Sequence, residues 1–166
     1  MIHARVRLKT QSNQVLALLA AIAAAIPACH RRPPGPTLTF VHPNGLSLTL
    51  PEVLDGRSFL VDRTATGFSV RHAGSYRLVD SLIVDLRPGA GPPGALPRAR
   101  TIGGRKIHYA VAESEGTAGS GGPEYELSAW ERARAGYIVY AAREQTEWDP
   151  DFSLAWTVIE GLTPPP

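Results

Sequence analysis

The stretch "YELSAWERARAGYIVYAAREQT", residues 125–146, decides between a helical and a β-rich reading of the chain. Tyr125, Leu127 and Ala129 recur at period two, which places them on one side of an extended strand. After Gly136 the run "GYIVYAAREQT" (136–146) is the most apolar strand candidate in the chain, with aromatic and β-branched residues that suit a pleated surface. The Glu, Leu, Ala and Arg of "YELSAWERARA" are also good helix formers, so helix competes for residues 125–135. The alternation favours strand.

Upstream, the same period recurs. "RKIHYAVAES" (105–114) alternates Ile107, Tyr109 and Val111 with polar positions, and "DSLIVDLRPG" (80–89) sets Leu82, Val84 and Leu86 on one face. "FLVDRT" (59–64) and "GFSVRHAG" (67–74) form a further short β-rich pair. In "LTFVHPNGLSLTLPE" (38–52), "HPNG" separates two alternating runs, and Asn-Gly is a strong hairpin signal, so strands are expected at about 37–42 and 45–50. Between the β runs, "RPGAGPPGALPRARTIGG" (87–104) is so rich in Gly and Pro that it reads as a long exposed loop.

Downstream, "WDPDFSLAWTVIEGL" (148–162) reads as the closing helix. Asp149 suits the cap, Pro150 the first turn and Gly161 the stop, while Phe152, Ala155, Trp156 and Ile159 fall at helical spacing. Trp148 and Trp156 are expected to anchor that helix in the core. These readings give an α+β class, an antiparallel β-sheet covered by at least one C-terminal α-helix.

The N-terminal part differs in kind. Residues 1–14 carry Arg5, Arg7 and Lys9 without an acid, and "VLALLAAIAAAI" (15–26) is wholly apolar but short for a permanent membrane helix. This is the pattern of an export leader over residues 1–28. As a buried helix it would be apolar all round and would run into Pro27 and "RRPPGP". "IPAC" (26–29) holds the single cysteine and resembles the lipobox of bacterial lipoproteins, although Pro27 departs from its usual small or aliphatic choice. That resemblance implies cleavage before Cys29 and acylation of its sulfur by chains such as palmitate. With His30 instead of Asp after the cysteine, it further implies the periplasmic face of the outer membrane. Residues 29–37 read as a proline-rich tether, and 38–163 as one domain.

The chain has 166 residues with 17 Lys and Arg against 15 Asp and Glu, for a sequence pI near 8.9. Three of those cations lie in the leader, so from Cys29 onward 14 face 15 acids and the formal net charge is −1. There is no basic stripe interleaved with aromatics, which argues against nucleic acid as a partner. A lone cysteine forms no internal disulfide, so stability must come from burial.

No catalytic or cofactor motif occurs. His42, His72 and His108 stand apart, and HExxH, GxSxG, paired cysteines and a phosphate loop are missing. Asp62, Asp80 and Asp85 lack an EF-type spacing, so no metal site is expected. Glu113, Glu115, Glu124 and Glu126 bracket "GTAGSGGP" and form either a solvated hairpin tip or an acidic finger aimed at a partner. Trp130, beside "ERAR", is a candidate interface residue, because Trp and Arg are enriched at binding hot spots.

The order "FVHPNGLSLTLPE", then "GFSV", further strands and a closing "FSLAWTVIEGL" resembles small bacterial lipoproteins of Mog1/PsbP-like fold. Among these it is similar to periplasmic immunity lipoproteins that neutralise a type VI secretion muramidase effector. The resemblance implies a non-catalytic, cofactor-free inhibitor whose loops, such as 88–104 and 113–126, occlude a partner's cleft. An envelope assembly or accessory binding lipoprotein of the same fold is the alternative.

Overall fold

A computed structural model describes residues 35–54, 56–74, 81–89, 94–119, 122–134 and 136–166, with the side chains of residues 114–119 outside that description. The leader, Cys29 and most of the tether lie outside the described residues, as does Asp80. Residues Gly35–Pro166 form one compact unit.

The first hairpin forms where Asn-Gly demands it. Strands β1 (Thr37–Val41) and β2 (Ser47–Pro51) pair antiparallel, and Gly45 takes φ 90°, a left-handed conformation open to glycine. The turn's side chains also reach beyond it. His42 Nε2 lies 3.0 Å from the Thr64 carbonyl, and Asn44 Nδ2 donates to the Thr66 carbonyl at 2.8 Å, so the loop is tied to the next hairpin. That next hairpin is β3 (Phe59–Arg63) with β4 (Gly67–His72), followed by β5 (Ser81–Pro88).

Strand β6 (Arg98–Ile102) then pairs with β7 (Arg105–Gly119), which leads into β8 (Gly122–Ala133) and β9 (Gly136–Gln145). Helix α1 (Ser153–Gly161) and the short β10 (Leu162–Thr163) end the chain. Among the described residues two antiparallel sheets result, a seven-stranded one ordered β3-β4-β5-β9-β8-β7-β6 and a three-stranded one ordered β1-β2-β10. The decisive stretch 125–146 is thus a strand pair.

The α+β class is overturned, and with it the Mog1/PsbP-like arrangement. Among the described residues, ten strands in two antiparallel sheets face one helix of nine residues. Part of the reason is that residues read as loop are strand. Within the Gly/Pro-rich stretch, "RARTI" alternates, and Gly103 and Gly104 with φ of 56° and 78° make the tight turn that returns it along β7. The other part is that the helix begins later than Asp149-Pro150 suggest. Phe152 sits left-handed at φ 50°, and the Glu144 carboxylate accepts the Asp151 and Phe152 amides at 3.3 and 2.7 Å. Asp151 Oδ1 accepts the Ser153 amide at 2.8 Å. Trp148 therefore precedes the helix and is 80 % exposed, not a core anchor.

The core lies between the seven-stranded sheet, α1 and the small sheet. Phe68 and Val70 of β4, Leu82 and Val84 of β5, Ile138 and Tyr140 of β9, and Leu127 of β8 share one sheet face through their register. Leu154, Ala155, Val158 and Ile159 of α1 are buried, and the helix packs on β2 and β5 beside Leu46, Leu48 and Leu50. Trp156 lies edge-on to Tyr109, 5.2 Å between ring centres, with the Arg100 guanidinium 4.9 Å from its ring centre.

Candidate functional site

Register divides the large sheet into two unlike faces. Leu127, Ala129 and Ala133 of β8 face the core, so Glu124, Glu126, Ser128, Trp130 and Arg132 point the other way. Opposite them stand Ala141 and Arg143 of β9, and beyond these Ser81 and Ile83 of β5. On this outer face Ile83, Ser128 and Ala141 are exposed and border a shallow groove of about 300 Å³. Antiparallel sheets commonly keep one face in solvent, but then alternate polar residues outward. Here the outward residues at the centre are small or apolar.

Charge sits on the groove's rim. Arg143 reaches Glu126 at 2.8 Å and Glu124 at 3.6 Å. These ion pairs are solvent-accessible and worth little in stability, so their effect is to hold three side chains in place.

The expected site residues are distributed as follows. Glu124, Glu126 and Trp130 share the outer face. Glu113 pairs with Tyr125 and so belongs to the helix side of the sheet. Glu115 is in β7, but its side chain lies outside the described residues, as does Cys29. Trp130 is half-buried: its indole N–H donates to the Gly94 carbonyl at 3.0 Å, His108 stacks on it at 4.4 Å, and Tyr137 meets it edge-on at 5.5 Å.

The three histidines are far apart in role as well as sequence. His42 braces a turn, His108 stacks on Trp130, and His72 is buried beside a cavity of about 310 Å³ near the start of α1. Asp62 is exposed on β3, and Asp85 accepts the Thr66 hydroxyl at 2.8 Å. Among the described residues no cluster of three His, Cys, Asp or Glu side chains is placed to hold a metal.

One polar group escaped the sequence reading. Glu131 is only 2 % exposed, on the core side of β8 between Ala129 and Ala133. Arg105 donates to it at 2.6 Å, the Tyr140 hydroxyl donates to the same oxygen, and Arg105 also donates to the Ile159 carbonyl at the end of α1. Burial pushes the Glu131 carboxyl above the ordinary carboxylate range, against the smaller opposing pull of Tyr140 and Arg105. Burial, reinforced by Glu131, holds the Tyr140 phenol well above its usual range, so it stays a donor. The signal was present in the sequence: an acid at the apolar parity of a strand requires a buried partner.

These features make a β-scaffold with one covered face and one open face, and comparison with known proteins agrees on the kind of protein. A family model described as the type six secretion immunity 3 domain, Tsi3, matches residues 47–163. The "Immune protein Tsi3" of Pseudomonas aeruginosa PAO1 is 40 % identical over 123 residues, covering 74 % of this chain and 79 % of that protein. The chain belongs to this immunity family, and an immunity protein implies a protein partner, the effector it answers.

Proposed function

We propose that this immunity protein is an exported, lipid-anchored and non-catalytic inhibitor that neutralises a cell-wall-degrading effector by occlusion at the periplasmic face of the outer membrane. The observation that carries the reading is the open outer face of the seven-stranded sheet. Its exposed centre of small and apolar residues, Ile83, Ser128 and Ala141, is rimmed by Glu124, Glu126 and Arg143. Desolvated small and apolar centres within a polar rim suit protein association. Trp130 lies on the same face, whereas Glu113 lies on the helix side of β7 and Glu115 follows it along that strand. Anchoring rests on the leader and "IPAC": several buried acyl chains, at about 0.8 kcal/mol per methylene, hold a protein durably on a bilayer.

Two variants test the face. Ile83→Arg and Ala141→Arg place a charge on exposed positions, so melting should be unchanged while affinity for the purified cognate effector falls at least about tenfold, the range of a hot-spot loss. Wild-type affinity in both would remove the outer face from the reading. Anchoring is checked separately in cells fed a clickable fatty acid: Cys29→Ala should lose the label, and undiminished labelling would sink the lipoprotein assignment.

A further inference from the structure

The sheet also ends in an unusual edge. Among the described residues β6 has a neighbour only on its β7 side, and residues 98–101 are all exposed, so its outer row of backbone N–H and C=O groups is available to another strand. Strand pairing at such an edge is a common recognition mode: main-chain hydrogen bonds supply affinity, and pockets for alternate side chains supply specificity.

Charge says what kind of strand fits. From Leu86 to Ala112 the chain has no Asp or Glu and five cations, Arg87, Arg98, Arg100, Arg105 and Lys106. Arg105 is occupied by Glu131, whereas Arg98, Arg100 and Lys106 have no carboxylate partner among the described residues. Arg98 and Arg100 oppose Tyr109 and Ile107, so both lie on the helix side of the strand, two residues apart. Beside them opens a cavity of about 250 Å³ between β6 and α1, bordered by Arg100, Trp156, Thr157 and Glu160. On the other side β6 offers the small Ala99 and the short Thr101, continuous with the open face.

We propose that the β6 edge receives an extended segment of the effector carrying two acidic residues at alternate positions, which meet Arg98 and Arg100 while a neighbouring side chain enters the Trp156 cavity. The proposal rests on the immunity reading above and adds to it where the partner is held. A second copy of this chain fits poorly, because antiparallel pairing of two β6 edges crowds Arg98 and Arg100 against the same residues, and like charges across strands are unfavourable.

The test uses the full mature protein and purified effector. In hydrogen exchange on the wild-type complex, amides of residues 98–102 should gain protection. Arg98→Glu with Arg100→Glu should weaken binding at least tenfold and flatten its dependence on salt, since charge pairing at a rim acts mainly through association rate. Unprotected β6 amides in a complex that still forms would overturn the edge proposal and leave the immunity reading intact, as would a charge-reversed variant that folds and binds like wild type. Failure of the wild-type protein to bind the effector at all would overturn both.

Discussion

Replacing Glu131 by alanine should cost about 3–5 kcal/mol of unfolding free energy, the usual result of removing one partner from a buried ion pair. The variant leaves the Tyr140 hydroxyl without its acceptor and Arg105 without its carboxylate, with only the Ile159 carbonyl at the end of α1 still accepting from the guanidinium. Typical domains have about 5–15 kcal/mol in total, so chemical denaturation should show a large shift of the midpoint. Because burying ions is itself costly, the apolar triple variant Glu131→Leu, Arg105→Met and Tyr140→Phe should recover most of that loss. A midpoint within experimental error of wild type for Glu131→Ala would mean that the network carries no net energy.

The same residue gives a pH signature. Its folded pKa is raised, so the stability it contributes relative to a non-titrating Gln is fully present below the unfolded value near 4.5 and is lost as pH rises through the folded value. The advantage of wild type over Glu131→Gln should therefore be greater at pH 4 than at pH 7. It should shrink by roughly 1.4 kcal/mol for each unit by which the pKa is raised. An advantage that grows with pH would reverse the assignment.

The second large effect is expected at Gly161. A Cβ there would overlap the Thr49 carbonyl group of β2, and a strand carbonyl cannot swing aside as a side chain does. Overpacking costs about 1–3 kcal/mol where side chains give way; against backbone, Gly161→Ala should cost at least about 3 kcal/mol. Gly35→Ala, which meets nothing within 4 Å, is the control and should stay within about 0.5 kcal/mol of wild type. Equal melting temperatures for the two variants would show that α1 can ride away from β2 without loss.

Gly161 also illustrates what the sequence could and could not convey. It reads as a helix stop, and the helix does end there, but the need for glycine comes from a strand more than a hundred residues earlier in the chain. The period-two runs and "HPNG" are local signals, and both gave the right elements. "TIGGRKI" is a local hairpin signal as well, masked by the proline-rich composition that precedes it. The helix start was illegible because its amides are satisfied by Glu144, on a neighbouring strand. For the four glutamates, parity places Glu124 and Glu126 together, but only the β7–β8 register assigns Glu113 to the opposite face.

The placing of β10 bears on how the molecule comes into being. Leu162 pairs with Leu48, so the last strand closes against the second. Such long-range pairing makes folding slow, because the chain must close a large loop before the contact repays it. The cover of the large sheet, α1, also follows all of that sheet's strands in the chain. A chain emerging N-terminus first cannot complete its core until Leu154, Ala155, Val158 and Ile159 of α1 are free to pack. A late-closing architecture of this kind leaves the inner face of the sheet uncovered until α1 is in place and commits the polypeptide to the native state only then.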